Sequence, residues 1–161
     1  MTAPMIREAS AADAEQISAL VCDIVPTLGY GTEKQVARFL AECYSPKVIR
    51  DQIGAGTHRY LIAVDKNGAF LGTGYVTGDG WLVGLHVHTV GRRSGIGRQL
   101  VEARLGIAAN LGIPELRSSV HAGNTGMLAL AAQHGFRVTG EDPVRDVFPD
   151  ALFLFLARGA S

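Results

Sequence analysis

Residues 81–105 constrain the fold of this chain more than any other stretch. Trp81, Val83, Leu85 and Val87 recur at every second position, the period of a strand with one buried face. The strand cannot continue past Gly91. The next seven residues read Gly-Arg-Arg-Ser-Gly-Ile-Gly, and glycine admits both positive φ and the close approach of another backbone or a ligand. Beyond Gly97, the residues Leu100, Val101, Leu105 and Ala108 return at helical spacing, which assigns Arg98, Glu102 and Arg104 to the remaining faces.

A helix that opens directly after a glycine-rich loop presents unpaired N–H groups and the positive end of its dipole, an arrangement that binds phosphate. Residues 91–104 hold four arginines and one acid, while the whole chain is formally neutral. Positive charge is therefore concentrated where phosphates would sit, and arginine suits phosphate oxygens. Two phosphate motifs are excluded. There is no Gly-Lys-Ser/Thr triplet to end a Walker A loop, and the third glycine of a dinucleotide fingerprint would fall on Leu100. What remains is Arg-x-x-Gly-x-Gly, spelled Arg92-Arg93-Ser94-Gly95-Ile96-Gly97.

At 161 residues, one domain spanning 1–161 is the default expectation. Zero formal charge offers no broad basic field for nucleic acid or a membrane surface. Two cysteines, Cys22 and Cys43, are too few for a disulfide framework and lack metal spacing, so buried, reduced thiols in a cytoplasm are expected. No stretch is long and apolar enough for a signal peptide or a membrane span.

Along the chain, Met5 to Ala9 reads as a strand, with Ser10 and Asp13 placed as a cap for a helix through Ile24. Glu33 to Cys43 and, after Pro46, Lys47 to Ile53 have helical pattern. His58–Val64 and Phe70–Thr77 flank the hairpin signal Asp65-Lys66-Asn67-Gly68. After the helix that starts near Gly97 come a strand over Leu116–Val120, a short helix capped near Asn124, a strand after Gly135-Phe136, and a last strand over Ala151–Ala157. The expected order is β-α-α-β-β-β-α-β-α-β-β, an α/β (α+β) chain with a mixed, mostly antiparallel sheet flanked by helices.

That order, with Arg92 to Gly97 and with Asn124 eleven residues ahead of Gly135-Phe136, resembles the GCN5-related N-acetyltransferase (GNAT) family over nearly the whole chain. The resemblance implies an acetyl-CoA cosubstrate, no metal, and transfer of an acetyl group to a primary amine of a small molecule or peptide by direct attack. It implies that pantetheine bonds the backbone of Leu85, His86 and Val87. It places pyrophosphate against Arg92, Arg93, Ser94, Gly95, Ile96, Gly97 and Arg98, and a further coenzyme contact at Asn124. It also implies that Val25 to Thr57 and Glu141 to Pro149 shape the acceptor pocket, and that a homodimer forms.

The catalytic positions depart from the resemblance. The tyrosine acid of many relatives falls on Ala131, one glutamate base position falls on Ser119, and the upstream base positions fall on Trp81 and Val83. A non-catalytic acyl-CoA-binding domain is therefore the alternative to an enzyme. The candidate bases are His86 and His121, since imidazole titrates near neutrality. As the base, His86 is expected to titrate near or above a free imidazole's ~6.5; a carboxylate such as Asp79 would raise that value, and burial in the apolar strand would lower it. His88 is expected to be solvated on the same strand face, and Glu33 is a candidate for holding an amine. The histidines at 86, 88 and 121 could in principle suggest zinc, which the resemblance argues against.

Overall fold

The computed structural model describes residues 4–89, 94–142 and 147–159. Arg92 and Arg93, and with them the first half of the expected phosphate loop, lie outside the described residues.

Local chemistry sets most element boundaries. Strand β1 (Met5–Glu8) ends at Ser10, whose N–H donates to Asp13 Oδ2 at 2.8 Å, while Arg7 donates to both oxygens of the same carboxylate at 2.9 and 3.0 Å. That clasp turns the chain through a short 3₁₀ segment into α1 (Ala14–Ile24), which buries Ala14, Ile17, Leu20, Val21 and Ile24 at helical spacing. Thr32 and Gln35 form a reciprocal capping box that starts α2 (Glu33–Cys43). Ser45 caps α3 (Pro46–Ala55), with proline in the first turn, where its missing N–H is harmless. Three helices thus separate β1 from β2, as the helical pattern read segment by segment predicts; the expected element order counts only two.

Strands β2 (His58–Val64), β3 (Phe70–Thr77) and β4 (Leu82–Val87) follow as antiparallel neighbours, giving a sheet in the order β1-β2-β3-β4. Helix α4 (Ile96–Asn110) leads to β5 (Glu115–His121), then α5 (Thr125–Gln133), β6 (Arg137–Glu141) and β7 (Phe153–Gly159). The last three strands form a second antiparallel sheet in the order β5-β7-β6.

Among the described residues, the two sheets are bridged at one end. Trp81 and Arg117 make a parallel bridge, the Arg117 N–H donates to the Gly80 carbonyl at 2.8 Å, and Ser118 Oγ donates to the Leu82 carbonyl at 2.6 Å. Past Ser118, no ladder joins β4 to β5 among the described residues, and the strands part.

Strand β4 is also bulged. Val83 pairs with Tyr75 and His86 pairs with Thr73, so Gly84 and Leu85 together oppose Gly74. Gly84 takes φ +71°, which glycine adopts without the penalty a Cβ would bring. The bulge reverses the alternation. Val83 shares a face with His86, whereas Leu82 and Val87 share the other, so the uninterrupted stripe expected through Trp81, Val83, Leu85 and Val87 does not form.

The cores follow this division. Val76 and Leu82 pack with Ala108, Val120 and Leu156, and Val87 packs with Ile96 and Leu100 on the α4 side. On the opposite side, Tyr44, Tyr60 and Ile62 pack with the α1 and α3 residues. Cys22 is exposed and Cys43 half-buried, which corrects the expectation that both thiols are buried. No helix among the described residues is long and apolar enough to cross a membrane.

Candidate functional site

The gap between β4 and β5 opens into two adjoining cavities of about 460 and 530 Å³. Both are lined by Leu85, His86, His121 and Asn124, so together they form one crevice running along the bulged strand. One arm continues past Val87 and Leu130; the other reaches Tyr44, Val83 and Arg104.

His86 lies in the strand just after the bulge and is 8% exposed. Its Nδ1 is 2.9 Å from the Gly84 carbonyl. A carbonyl only accepts, so Nδ1 carries the proton and the Nε2 lone pair is left available. Burial lowers the imidazole pKa to about 4; the bond to Gly84 opposes that shift and the positive charge of Arg104 adds to it. Of the two opposing effects expected, burial prevails, and the value falls below the ~6.5 expected of a base. Asp79, the carboxylate expected to raise it, sits in an exposed turn with Thr77 and belongs to a separate hollow with His58 and Trp81.

His121 is in a different state. Its Nδ1 accepts the Gly123 N–H at 3.1 Å, which assigns the proton of the neutral ring to Nε2 and leaves no spare lone pair. The ring packs between Tyr30 and Phe153, with centroids 5.0 and 5.3 Å away. Its geometry is that of a donor and a wall rather than a base. His88 is partly buried, with its backbone N–H on the Leu71 carbonyl at 2.8 Å. Glu33 is exposed in the first turn of α2 and does not line the crevice. Among the described residues, no group of three or more His, Cys, Asp or Glu side chains is placed to hold a metal ion.

Helix α4 begins at Ile96 behind Gly95, which is the N-cap with φ +83° and open space where a Cβ would stand. The first N–H groups of this fifteen-residue helix have no intrahelical acceptor. Gly97 faces α5, where a Cβ would make an ordinary contact with Leu130 at 3.8 Å. Asn124 caps α5, its Oδ1 accepting from Met127 N at 3.1 Å. Arg98 bonds Gln133 Oε1 at 2.5 Å and lies 4.0 Å from Glu102.

Three residues not singled out in the sequence also stand in the crevice. Tyr44, at the C-terminal end of α2, packs edge-to-face on His86, with ring centroids 5.6 Å apart. A Cβ placed on Gly84 would sit 2.5 Å from the Tyr44 hydroxyl. Arg104, expected on a polar face of α4, is instead 1% exposed and lines the crevice. It follows Leu100 and precedes Ala108 at intervals of four, a placement on the apolar stripe that the sequence did display. Asp142 reaches Ser119 from the end of β6, its Oδ2 accepting from Ser119 Oγ at 3.0 Å, and so carries a carboxylate to the strand position where the resemblance led to a serine. Ala131 is buried against Phe136, and its side chain offers no proton donor.

The site is thus a bulged strand that splays from its neighbour and is followed by a glycine-capped helix in a mixed α/β fold. A family model described as the acetyltransferase (GNAT) family matches residues 30–136, about two thirds of the chain, and the chain belongs to that family. Solved structures carry the same fold. The PaiA N-acetyltransferase from Thermoplasma acidophilum, in complex with coenzyme A, superposes with a TM-score of 0.83 at 18% identity, over 98% of this chain and 99% of that one. A GNAT superfamily phosphinothricin acetyltransferase from Sinorhizobium meliloti, in complex with AcCoA, gives 0.76 at 20% identity over 99% and 90%. A GCN5-related N-acetyltransferase from Kribbella flavida gives 0.70 at 21% identity over 98% of each chain. Comparison with curated protein sequences gives no significant match.

Proposed function

We propose that this chain is a single-domain, acetyl-CoA-dependent N-acetyltransferase acting on a primary amine of a small molecule or peptide. The observation that carries this reading is the gap between β4 and β5, which runs along the bulged strand from Gly84–Leu85 past Val87 to Leu130, a neighbour of Gly97 in the first turn of α4. Family membership and neighbours crystallised with coenzyme A or AcCoA support it.

In this reading the pantetheine runs along Leu85, His86 and Val87, and the pyrophosphate meets Ser94, Gly95, Ile96 and Gly97, with Arg92 and Arg93 completing the loop. Asn124 lies beside the cofactor, and Arg98 supplies charge from the first turn of α4. The amine nitrogen attacks the thioester carbonyl carbon, and backbone N–H groups of the bulge face the oxyanion that forms. The C–S bond then breaks, and the departing thiolate takes up a proton. His86 accepts the amine proton at Nε2 as the N–C bond forms. An imidazole with a pKa near 4 holds little charge, so the acceptor must arrive as the neutral amine.

The test is release of free CoA from acetyl-CoA across an amine panel, with acetyl-CoA binding measured by isothermal titration. Turnover supports the enzyme. Tight binding with no turnover on any amine would favour a non-catalytic acyl-CoA-binding domain, a reading kept in view by Ala131 at the usual acid position. Asp142 is the rival base. Asp142→Asn should change kcat/KM less than His86→Gln, and the reverse order moves the role to the carboxylate.

A further inference from the structure

We propose that the acceptor is an aminocarboxylate, a small amine whose carboxylate is held at the inner end of the crevice by Arg104 and the Tyr44 hydroxyl. This rests on the acetyl-transfer reading and names the substrate class of that site.

The Arg104 guanidinium donates through Nε to the Leu100 carbonyl at 3.4 Å and through Nη1 to the carbonyls of Tyr75 and Val83 at 3.2 and 3.1 Å. Every one of these acceptors is neutral. Among the described residues, no carboxylate pairs with Arg104 and nothing accepts from Nη2. Burial lowers its pKa only to about 10, so it stays charged at neutral pH. A buried charge without a counter-ion is costly, and the cost is relieved when an anion binds. The carbonyl contacts fix the plane of the guanidinium and leave Nη2 to meet a carboxylate.

Tyr44 is the second donor. It is 5% exposed, lines the same cavity, and its hydroxyl has no partner among the described residues. Burial keeps the phenol protonated by raising its pKa well above the ordinary value. The backbone brings both donors to one point: Arg104 bonds the carbonyl of Val83, and Tyr44 stands over Gly84, the next residue.

Position along β4 assigns this subsite to the acceptor. The cofactor enters from the α4 end, past Val87 toward Leu85, so Val83 lies beyond the thioester. The surrounding wall is aromatic (Tyr30, Phe39, Phe148 and Phe153), which suits an apolar side chain on the acceptor. Two acids, Glu42 and Asp142, also line the cavity; Glu42 is paired with Arg38 at 2.9 Å, and Asp142 takes the Ser119 hydroxyl.

The experiment compares matched pairs in the CoA-release assay with acetyl-CoA: leucine against isoamylamine, and phenylalanine against phenethylamine. The carboxylated member should have the higher kcat/KM by about 10- to 100-fold, the range of a charged hydrogen bond. Arg104→Met should bring the ratio toward one by slowing the carboxylated member, and Tyr44→Phe should lower it several-fold. The wild-type ratio stands even if Arg104→Met fails to fold. Equal rates, or preference for the plain amine, would overturn the proposal. Faster turnover of plain amines with succinyl-CoA than with acetyl-CoA would place the carboxylate on the donor and overturn it equally. If no pair turns over while acetyl-CoA binds, the wider amine panel decides the acetyl-transfer reading, and the subsite is read separately by titrating N-acetyl-leucine and N-isoamylacetamide into the CoA-saturated protein. Tighter binding of the carboxylated ligand supports the subsite; equal binding removes it.

Discussion

His86 donates its Nδ1 proton to the carbonyl of Gly84, two residues back along the same strand, at 2.9 Å. The bond spans the β4 bulge and holds the ring in one tautomer, with Nε2 as the acceptor. Replacing His86 by glutamine keeps a hydrogen-bonding side chain but removes the base. On the proposed mechanism, kcat/KM should fall by about 10²–10⁴-fold with acetyl-CoA affinity retained. The pH profile sharpens the test. With a pKa near 4, His86 is already neutral at pH 6, so the rise of kcat/KM above that pH should track the acceptor amine and show no limb near 6.5. Unchanged kcat/KM in His86→Gln would make the residue structural.

The same burial couples His86 to stability. Its folded pKa is lowered to about 4, whereas the unfolded chain titrates near ~6.5, so between these values the unfolded state binds more protons. Stability should therefore rise with pH across that window and fall as pH drops from about 6.5 toward 4, by roughly 2–4 kcal/mol in total. Urea unfolding at pH 7 and pH 5 measures the slope, and His86→Gln should flatten it. An equal slope in the variant would assign the loss to other groups.

Gly84 is held by two constraints that a double variant separates. Gly84→Ala puts a Cβ 2.5 Å from the Tyr44 hydroxyl at a backbone with φ +71°. Strain of about 1 kcal/mol comes from the backbone alone. The clash adds to it, and the bulge that positions His86 is displaced, so both thermal stability and kcat should drop. Tyr44→Phe in the Gly84→Ala background should recover part of the stability, because the clashing oxygen is gone while the φ penalty remains. Strict additivity of the two variants would show that the hydroxyl does not press on the strand.

Gly95→Asp tests the proposed pyrophosphate site at the start of α4. The new carboxylate would stand at the N-terminus of α4, where it suits the helix dipole but repels a pyrophosphate. Coenzyme A affinity by isothermal titration should weaken at least ~10-fold. The far-UV spectrum should be unchanged, and any loss of thermal stability should stay near the ~1 kcal/mol of a residue forced to positive φ. Undiminished affinity would move the pyrophosphate away from this helix.

Element order, the caps at Ser10 and Asn124, the glycine turn into α4 and the family resemblance were all legible in the chain, because each depends on residues close together in sequence. Arg104 was legible too, through its i, i+4 relation to Leu100 and Ala108, although a charged residue on an apolar stripe reads at first as surface. The tertiary structure decided the rest. Two residues of β4 face one residue of β3, and that single extra residue changes which side chains reach the crevice; strand periodicity carries no sign of it. Tyr44 meets Gly84 and Asp142 meets Ser119 only because the sheets and the α2 segment bring distant positions together. The proton affinity of His86 is set by what surrounds it. In sequence it is an ordinary imidazole, and only burial against Tyr44 and beside Arg104 makes it a weak base.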